Sequence, residues 1–101
     1  MGNFIKAAGK ADITEGHGKA VTLDGNAVAL FNVGGTFHAI ENTCKHRGGP
    51  LGEGELDGVQ VTCPWHGWQY DVKTGECMTT PGVIQEKYNV KVEGDDVLIE
   101  I

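Results

Sequence analysis

The sequence predicts an all-β domain, and three observations carry that reading. Short apolar stretches recur between glycine and aspartate punctuation along the whole chain. No segment shows the sustained 3.6-residue periodicity of an amphipathic helix, and there is no repeat or low-complexity linker. Two turn signals, Asp24-Gly25-Asn26 and Gly94-Asp95-Asp96, stand between apolar runs of strand length. The expected architecture is a small antiparallel β sandwich or barrel.

The elements follow in order. Asn3–Ala7 reads as a first strand, and a one-turn helix near Ala11–Thr14 fits before the turn Glu15-Gly16-His17-Gly18. Lys19–Leu23 and Ala27–Asn32 form a hairpin, Gly34-Gly35 turns the chain, and Thr36–Glu41 runs on as a strand. Val59–Thr62 and Gln69–Val72 are strands on either side of a second loop, and Lys73-Thr74-Gly75-Glu76 is a turn. Pro81–Gln85 has room for another single helical turn. Tyr88–Val92 and Val97–Ile101 close the chain as a hairpin.

Composition bounds the function. At 101 residues the chain is expected to be a single domain, 1–101, with a modest core. The net charge of −6, with acidic residues spread along the chain, speaks against nucleic acid or an anionic membrane as partner. No apolar run is long enough to span a bilayer. The start, Met1-Gly2-Asn3-Phe4-Ile5-Lys6, lacks a signal-peptide core, and Lys6 stands where a myristoylation site needs Ser or Thr, so the expected location is cytoplasmic.

Chemistry concentrates in two segments, Cys44-Lys45-His46 and Cys63-Pro64-Trp65-His66, each with one thiol and one imidazole in glycine-rich surroundings. Each loop can give one sulfur and one nitrogen, so the two loops must face each other across a shared centre. Two thiolates on one iron and two imidazoles on the other are the mixed ligand set of a [2Fe–2S] cluster with raised potential. Soft thiolate suits iron in a sulfide cluster, while neutral imidazole leaves its iron easier to reduce. Replacing two thiolates by imidazoles also removes two negative charges, which favours taking up an electron. A tetrahedral Cys2His2 zinc site is the other reading of the same residues, although zinc loops usually pair Cys with Cys and His with His at wider spacing. Colour separates them, because a zinc form is colourless and an iron–sulfur form red-brown.

Cys44-Lys45-His46-Arg47-Gly48-Gly49-Pro50-Leu51 and Cys63-Pro64-Trp65-His66-Gly67-Trp68-Gln69-Tyr70-Asp71 resemble the two boxes of the Rieske family. They are most similar to the Rieske domains and small ferredoxins of aromatic-ring-hydroxylating oxygenases. The small subunit of assimilatory nitrite reductase is another relative. The resemblance implies one Rieske [2Fe–2S] cluster with Cys44, His46, Cys63 and His66 as its ligands, and no catalytic residues. It implies a cluster-binding lobe, about 42–80, inserted into a basal β lobe made by both ends of the chain. Thr80-Pro81-Gly82 corresponds to a proline-containing loop that covers the cluster.

The departures from the respiratory branch matter. That branch has an additional Cys in each box, joined as a disulfide; here Gly49 and Trp65 stand at those positions. Its Ser donor to a cluster sulfur is replaced by Trp68, while Tyr70 matches its other donor, directed at a cysteine sulfur. The remaining residues have plainer readings. Cys77 is a small buried filler, His17 a solvated loop residue and His38 structural. Glu53, Glu55 and Asp57 make a solvated acidic loop, and Lys45 with Arg47 a small basic tip beside His46. Trp65 and Trp68 bracket His66, and at least one of them is expected to pack between the lobes.

The implied function is one-electron transfer from a reductase to a terminal redox enzyme, an oxygenase or a nitrite reductase, with no small-molecule substrate. The alternatives are a nitrite reductase small subunit and, more remotely, a zinc-stabilised interaction module. With fewer hydrogen-bond donors to the sulfurs, the potential is expected at the low end of the Rieske range, about −150 mV, falling at high pH as the ligand imidazoles deprotonate. Protein-film voltammetry checks both; a wave centred well above zero, or one flat into strong alkali, contradicts them.

Overall fold

The computed structural model describes residues 3–45, 48–65 and 67–101. Among the described residues, ten strands build three antiparallel sheets. β1 (Phe4–Gly9), β9 (Val90–Glu93) and β10 (Asp96–Glu100) form one sheet in the order β1-β10-β9, so the two ends of the chain lie together. β2 (His17–Leu23), β3 (Asn26–Val33), β4 (Thr36–Glu41) and the short β8 (Lys87–Tyr88) form the second, in that order. β5 (Glu55–Asp57), β6 (Gln60–Thr62) and β7 (Gln69–Asp71) form the third, which falls between β4 and β8 along the chain. One-turn 3-10 helices occupy Lys10–Asp12 and Leu51–Glu53. Among the described residues, no helix is long and apolar enough to cross a membrane.

The apolar run Ala27–Phe31 explains why the middle sheet holds the molecule together. Successive side chains on a strand point to opposite faces. On β3, Val28 and Leu30 enter one core with Leu23, Phe37, Ala39, Val97 and Ile99. Ala29 and Phe31 enter a second core with Ile40, Leu51, Val61, Tyr70 and Val72. A strand buried on both faces reads as continuously hydrophobic rather than alternating. The second core also contains Cys44, Cys63 and Cys77.

Most elements lie where the sequence places them, and the differences have local causes. The strand expected over Tyr88–Val92 is divided: Tyr88 pairs with Ala39 of β4, whereas Val90 pairs with Ile99 of β10. Asn89 makes the change of sheet possible. Its carbonyl accepts the Glu100 N–H at 2.9 Å and its side-chain amide donates to the Glu100 carboxylate at 2.9 Å. The acidic loop contains a strand, because Glu55, Leu56 and Asp57 pair with Thr62, Val61 and Gln60. His17 opens β2 rather than lying in the turn, and it is exposed. Residues 81–85 form turns and an isolated bridge instead of a helix.

The 3-10 turn Leu51–Glu53 lies directly on β2. A Cβ on Gly52 would lie 2.6 Å from the Ala20 nitrogen and 2.9 Å from its Cα, backbone atoms that no rotamer change can move. Gly52→Ala should therefore destabilise the holoprotein by about 1–3 kcal/mol, the usual cost of overpacking. Thermal unfolding should show a Tm lower by roughly 4–20 °C; an unchanged Tm contradicts this contact.

Candidate metal centre

Both cysteine loops begin where a strand runs out. Past Glu41, the end of β4, the chain stays tied to its surroundings by backbone bonds: Asn42 N–H donates to the Ala27 carbonyl at 2.9 Å, and the Asn42 carbonyl accepts the Leu51 N–H at 2.8 Å. Asn42 Oδ1 also accepts the Gly52 N–H at 2.7 Å. An isolated bridge between Thr43 and Pro50 closes the neck of the first loop. The second loop leaves β6 at Thr62 and returns as β7 at Gln69, so the β6–β7 ladder closes its neck in the same way.

Between these necks the two boxes fold identically in hydrogen-bond pattern. Cys44 N–H donates to the Gly49 carbonyl at 2.9 Å, and Gly48 N–H returns to the Cys44 carbonyl at 2.8 Å. Cys63 N–H donates to the Trp68 carbonyl at 2.7 Å, and Gly67 N–H returns to the Cys63 carbonyl at 3.1 Å. The glycine four residues after each cysteine takes a left-handed φ, 76° at Gly48 and 77° at Gly67. A side chain is rarely tolerated there, which accounts for glycine at both positions. The two cysteines thus open one kind of turn. The expected ligands His46 and His66, together with Arg47, lie outside the described residues.

The described residues fit a cluster with sulfur ligands. Cys44 and Cys63 are buried in the same core. The loops touch at Gly49, where a Cβ would fall 2.6 Å from Cys63 Sγ and 3.3 Å from Trp65 Cβ. Only glycine lets the first loop come that close to the second cysteine. The same contact brings together the two positions that carry the respiratory branch's additional cysteines. Among the described residues no group of three or more His, Cys, Asp and Glu side chains is placed to hold a metal. His17 and His38 therefore form no such site with them. His38 lies half-buried on β4, where burial, then the charges of Lys73 and Lys87, hold it below its usual pKa against the opposing Asp71.

The surroundings of the loops divide into a dry side and a wet side. Trp68 packs on the core, whereas Trp65 is 58% exposed, and Pro64 and Gly67 are exposed too. Glu53, Glu55 and Asp57 wall an open groove of about 590 Å³ that reaches Pro64 and Gly67 of the second loop. Lys45 is exposed and pairs with Glu41 at 3.5 Å, which offsets its part of the expected basic tip. Cys77 is buried as expected and has a task the sequence did not signal: its sulfur accepts the Thr80 N–H at 3.3 Å, at the start of the Thr80-Pro81-Gly82 turn. Met78 N–H to the Gln69 carbonyl, 2.6 Å, and Gln69 N–H to Thr79 Oγ1, 2.8 Å, bind that segment to β7.

Tyr70 is the one described side-chain hydroxyl against a candidate ligand. It is fully buried, with its Oη 3.3 Å from Cys44 Sγ. Burial first, then the hydrogen bond with Cys44, pushes its pKa well above the ordinary tyrosine value, while the Lys45 backbone N–H opposes them. The hydroxyl therefore keeps its proton and can donate it to a thiolate sulfur. A donor to sulfur stabilises added negative charge. A bond that strengthens on reduction by roughly 1 kcal/mol corresponds to about 40 mV for one electron. Tyr70→Phe should lower the midpoint potential by about that amount in a redox titration; an unchanged or higher potential contradicts the donor role.

Comparison with known proteins agrees with this geometry. The family model of the Rieske [2Fe-2S] domain matches residues 3–98. The ferredoxin component of the naphthalene 1,2-dioxygenase system of Pseudomonas putida is 35% identical over 97% of this chain and 95% of its own length. The 3-phenylpropionate/cinnamic acid dioxygenase ferredoxin subunit of Shigella flexneri is 40% identical over 98% of this chain and 94% of its own. Among solved structures, the ferredoxin of carbazole 1,9a-dioxygenase from Nocardioides aromaticivorans superposes with a TM-score of 0.90 at 28% identity, covering 96% of both chains. The chain belongs to the Rieske [2Fe–2S] domain family, and its cofactor is one [2Fe–2S] cluster of the Rieske type.

Proposed function

We propose that this protein is a stand-alone Rieske-type ferredoxin, a cytoplasmic carrier that takes one electron from a reductase and delivers it to a terminal oxygenase. Cys44 and Cys63 hold one iron, and His46 and His66 the other. Residues of about 42–80 act as the cluster-binding lobe of a single domain, with the Pro81 turn as a cover. The bound cluster supplies the redox change. The chain binds and transforms no substrate and contributes no catalytic residue. Its own residues do three things. They keep the sulfurs dry in the second core, they donate a hydrogen bond from Tyr70, and they leave the outer edge of the second loop open to a partner.

One observation carries the reading. Ferredoxin components of dioxygenase systems align with this chain over 97–98% of its length at 35–40% identity. The geometry supports it, because buried sulfurs beneath exposed Pro64, Trp65 and Gly67 suit a carrier that must bring its cluster close to another protein. A solved complex of reduced oxygenase and oxidised ferredoxin in carbazole 1,9a-dioxygenase matches at a TM-score of 0.89 and 32% identity. A structure assigned to a nitrite reductase small subunit of Mycobacterium tuberculosis matches at 0.92 but at 24% identity, which speaks to the fold alone.

The test is electron delivery. Coulometric reduction should take up one electron per chain. The reduced protein should then be reoxidised within turnover time by a ring-hydroxylating oxygenase component supplied without its own ferredoxin. Reoxidation by a sirohaem nitrite reductase and not by the oxygenase would move the protein to the nitrite reductase branch. Reoxidation by neither contradicts the proposed role.

A further inference from the structure

Gln85 is 1% exposed and is one of only two buried polar or charged side chains among the described residues. Its Nε2 donates to the Glu41 carbonyl at 2.9 Å and to the Thr43 carbonyl at 2.7 Å. Its backbone N–H donates to the Gly75 carbonyl at 2.6 Å. The next residue accepts at its carbonyl from Glu41 N–H at 2.8 Å. One residue thus joins three segments. These are the end of β4, the residue just before Cys44, and the turn that leads from β7 to Cys77.

The location explains the amide. β4 pairs with β8 at Ala39 and Ile40, and there the ladder stops, because the chain must leave the sheet to form the first cysteine loop. Carbonyl groups that leave a sheet inside the protein still need donors. A carboxamide offers two N–H groups on one nitrogen, and here both are used on carbonyls two residues apart. The two bonds also fix which way the amide points, since a flip would set oxygen against both carbonyls.

Among the described residues nothing compensates the other end of the side chain: Gln85 Oε1 is buried and has no hydrogen-bond partner among them. A half-satisfied buried amide is worse than an apolar side chain of the same shape unless its satisfied half is needed. Methionine has nearly the same length and would fill the space without an orphaned oxygen. We infer that Gln85 is a positioning residue for the cluster: its amide N–H groups hold the lead-in to the first ligand loop, and so the place of Cys44. Asn42 grips the same lead-in from the other side through the Gly52 N–H. Gln85 acts through the backbone at Thr43, the residue before Cys44. The inference rests on the proposed cluster ligation and concerns a residue outside both boxes.

The test uses the holoprotein and reads the cluster rather than electron delivery. Gln85→Met removes both donors and keeps the bulk. Val97→Ala, in the other core, is a control for general destabilisation. Outer-shell partners of metal ligands typically matter about 10- to 100-fold in metal affinity. Gln85→Met should therefore release iron to a chelator about tenfold faster than the wild type, and should change the EPR line shape and the midpoint potential. Val97→Ala, compared at the same margin below its own Tm, should keep the wild-type line shape and potential. If Gln85→Met matches the wild type, or behaves as Val97→Ala does, the inference is overturned. If Gln85→Met does not fold, Gln85→Glu decides. Its buried, protonated carboxyl keeps a single donor, so an intermediate release rate with an altered line shape supports the role. Wild-type behaviour in that variant overturns it. A wild-type protein that carries no iron would instead refute the proposed function, a separate outcome seen before any variant is made.

Discussion

Two glycine-closed turns, hung on the ends of strands, keep Cys44 and Cys63 out of water within one core. The rest of the structure depends on that constraint. A buried thiolate is costly unless it is paired or bound to a metal, so each sulfur needs a defined place before a cluster can join them. The backbone bonds of the turns help to provide it. The contact of Gly49 with Cys63 then sets one turn against the other at a distance that no side chain would allow. The two turns share one pattern of backbone bonds, so both cysteines enter the core in the same way.

The scaffold serves the same end. β3 and β4 are shared by both cores, so the sheet that packs against the chain termini on one face also supports the cysteine loops on the other. A disturbance on either face is felt at the junction where β4 ends and the first loop starts. That junction is gripped from three directions, by Ala27, by Gly52 through Asn42, and by Gln85. Polar clamps at such a place fit a small domain. With limited hydrophobic area to draw on, position must be fixed by hydrogen bonds whose partners are unique.

Much of this was legible in the residues. The two boxes carry their chemistry on their face, because the thiol, imidazole and glycine types are each required by the ligation or by the turn. The hairpins at Asp24-Gly25 and Gly34-Gly35 announced themselves through residues that accept positive φ, and β3 through its unbroken apolar run. What stayed hidden depends on long-range contact. Glu55–Asp57 looks like a solvated acidic loop because its outward carboxylates hide the pairing with β6. Tyr88–Val92 looks like one strand because nothing local shows that Asn89 hands the chain from one sheet to another. Nothing local marks Gln85, since its partners lie more than forty residues away in sequence. Cys77 could be read as filler, but its bond to Thr80 N–H appears only once the turn around Pro81 is folded.

The central claim is that one cluster is shared by sulfur and nitrogen ligands, with His46 and His66 on the reducible iron. Pulsed EPR of the dithionite-reduced protein, with histidine labelled by nitrogen-15, measures this directly. Two strongly coupled imidazole nitrogens should appear, on a signal whose average g value lies below that of an all-cysteine [2Fe–2S] centre. A signal without bonded nitrogen, or a colourless protein with zinc and no sulfide, would contradict it.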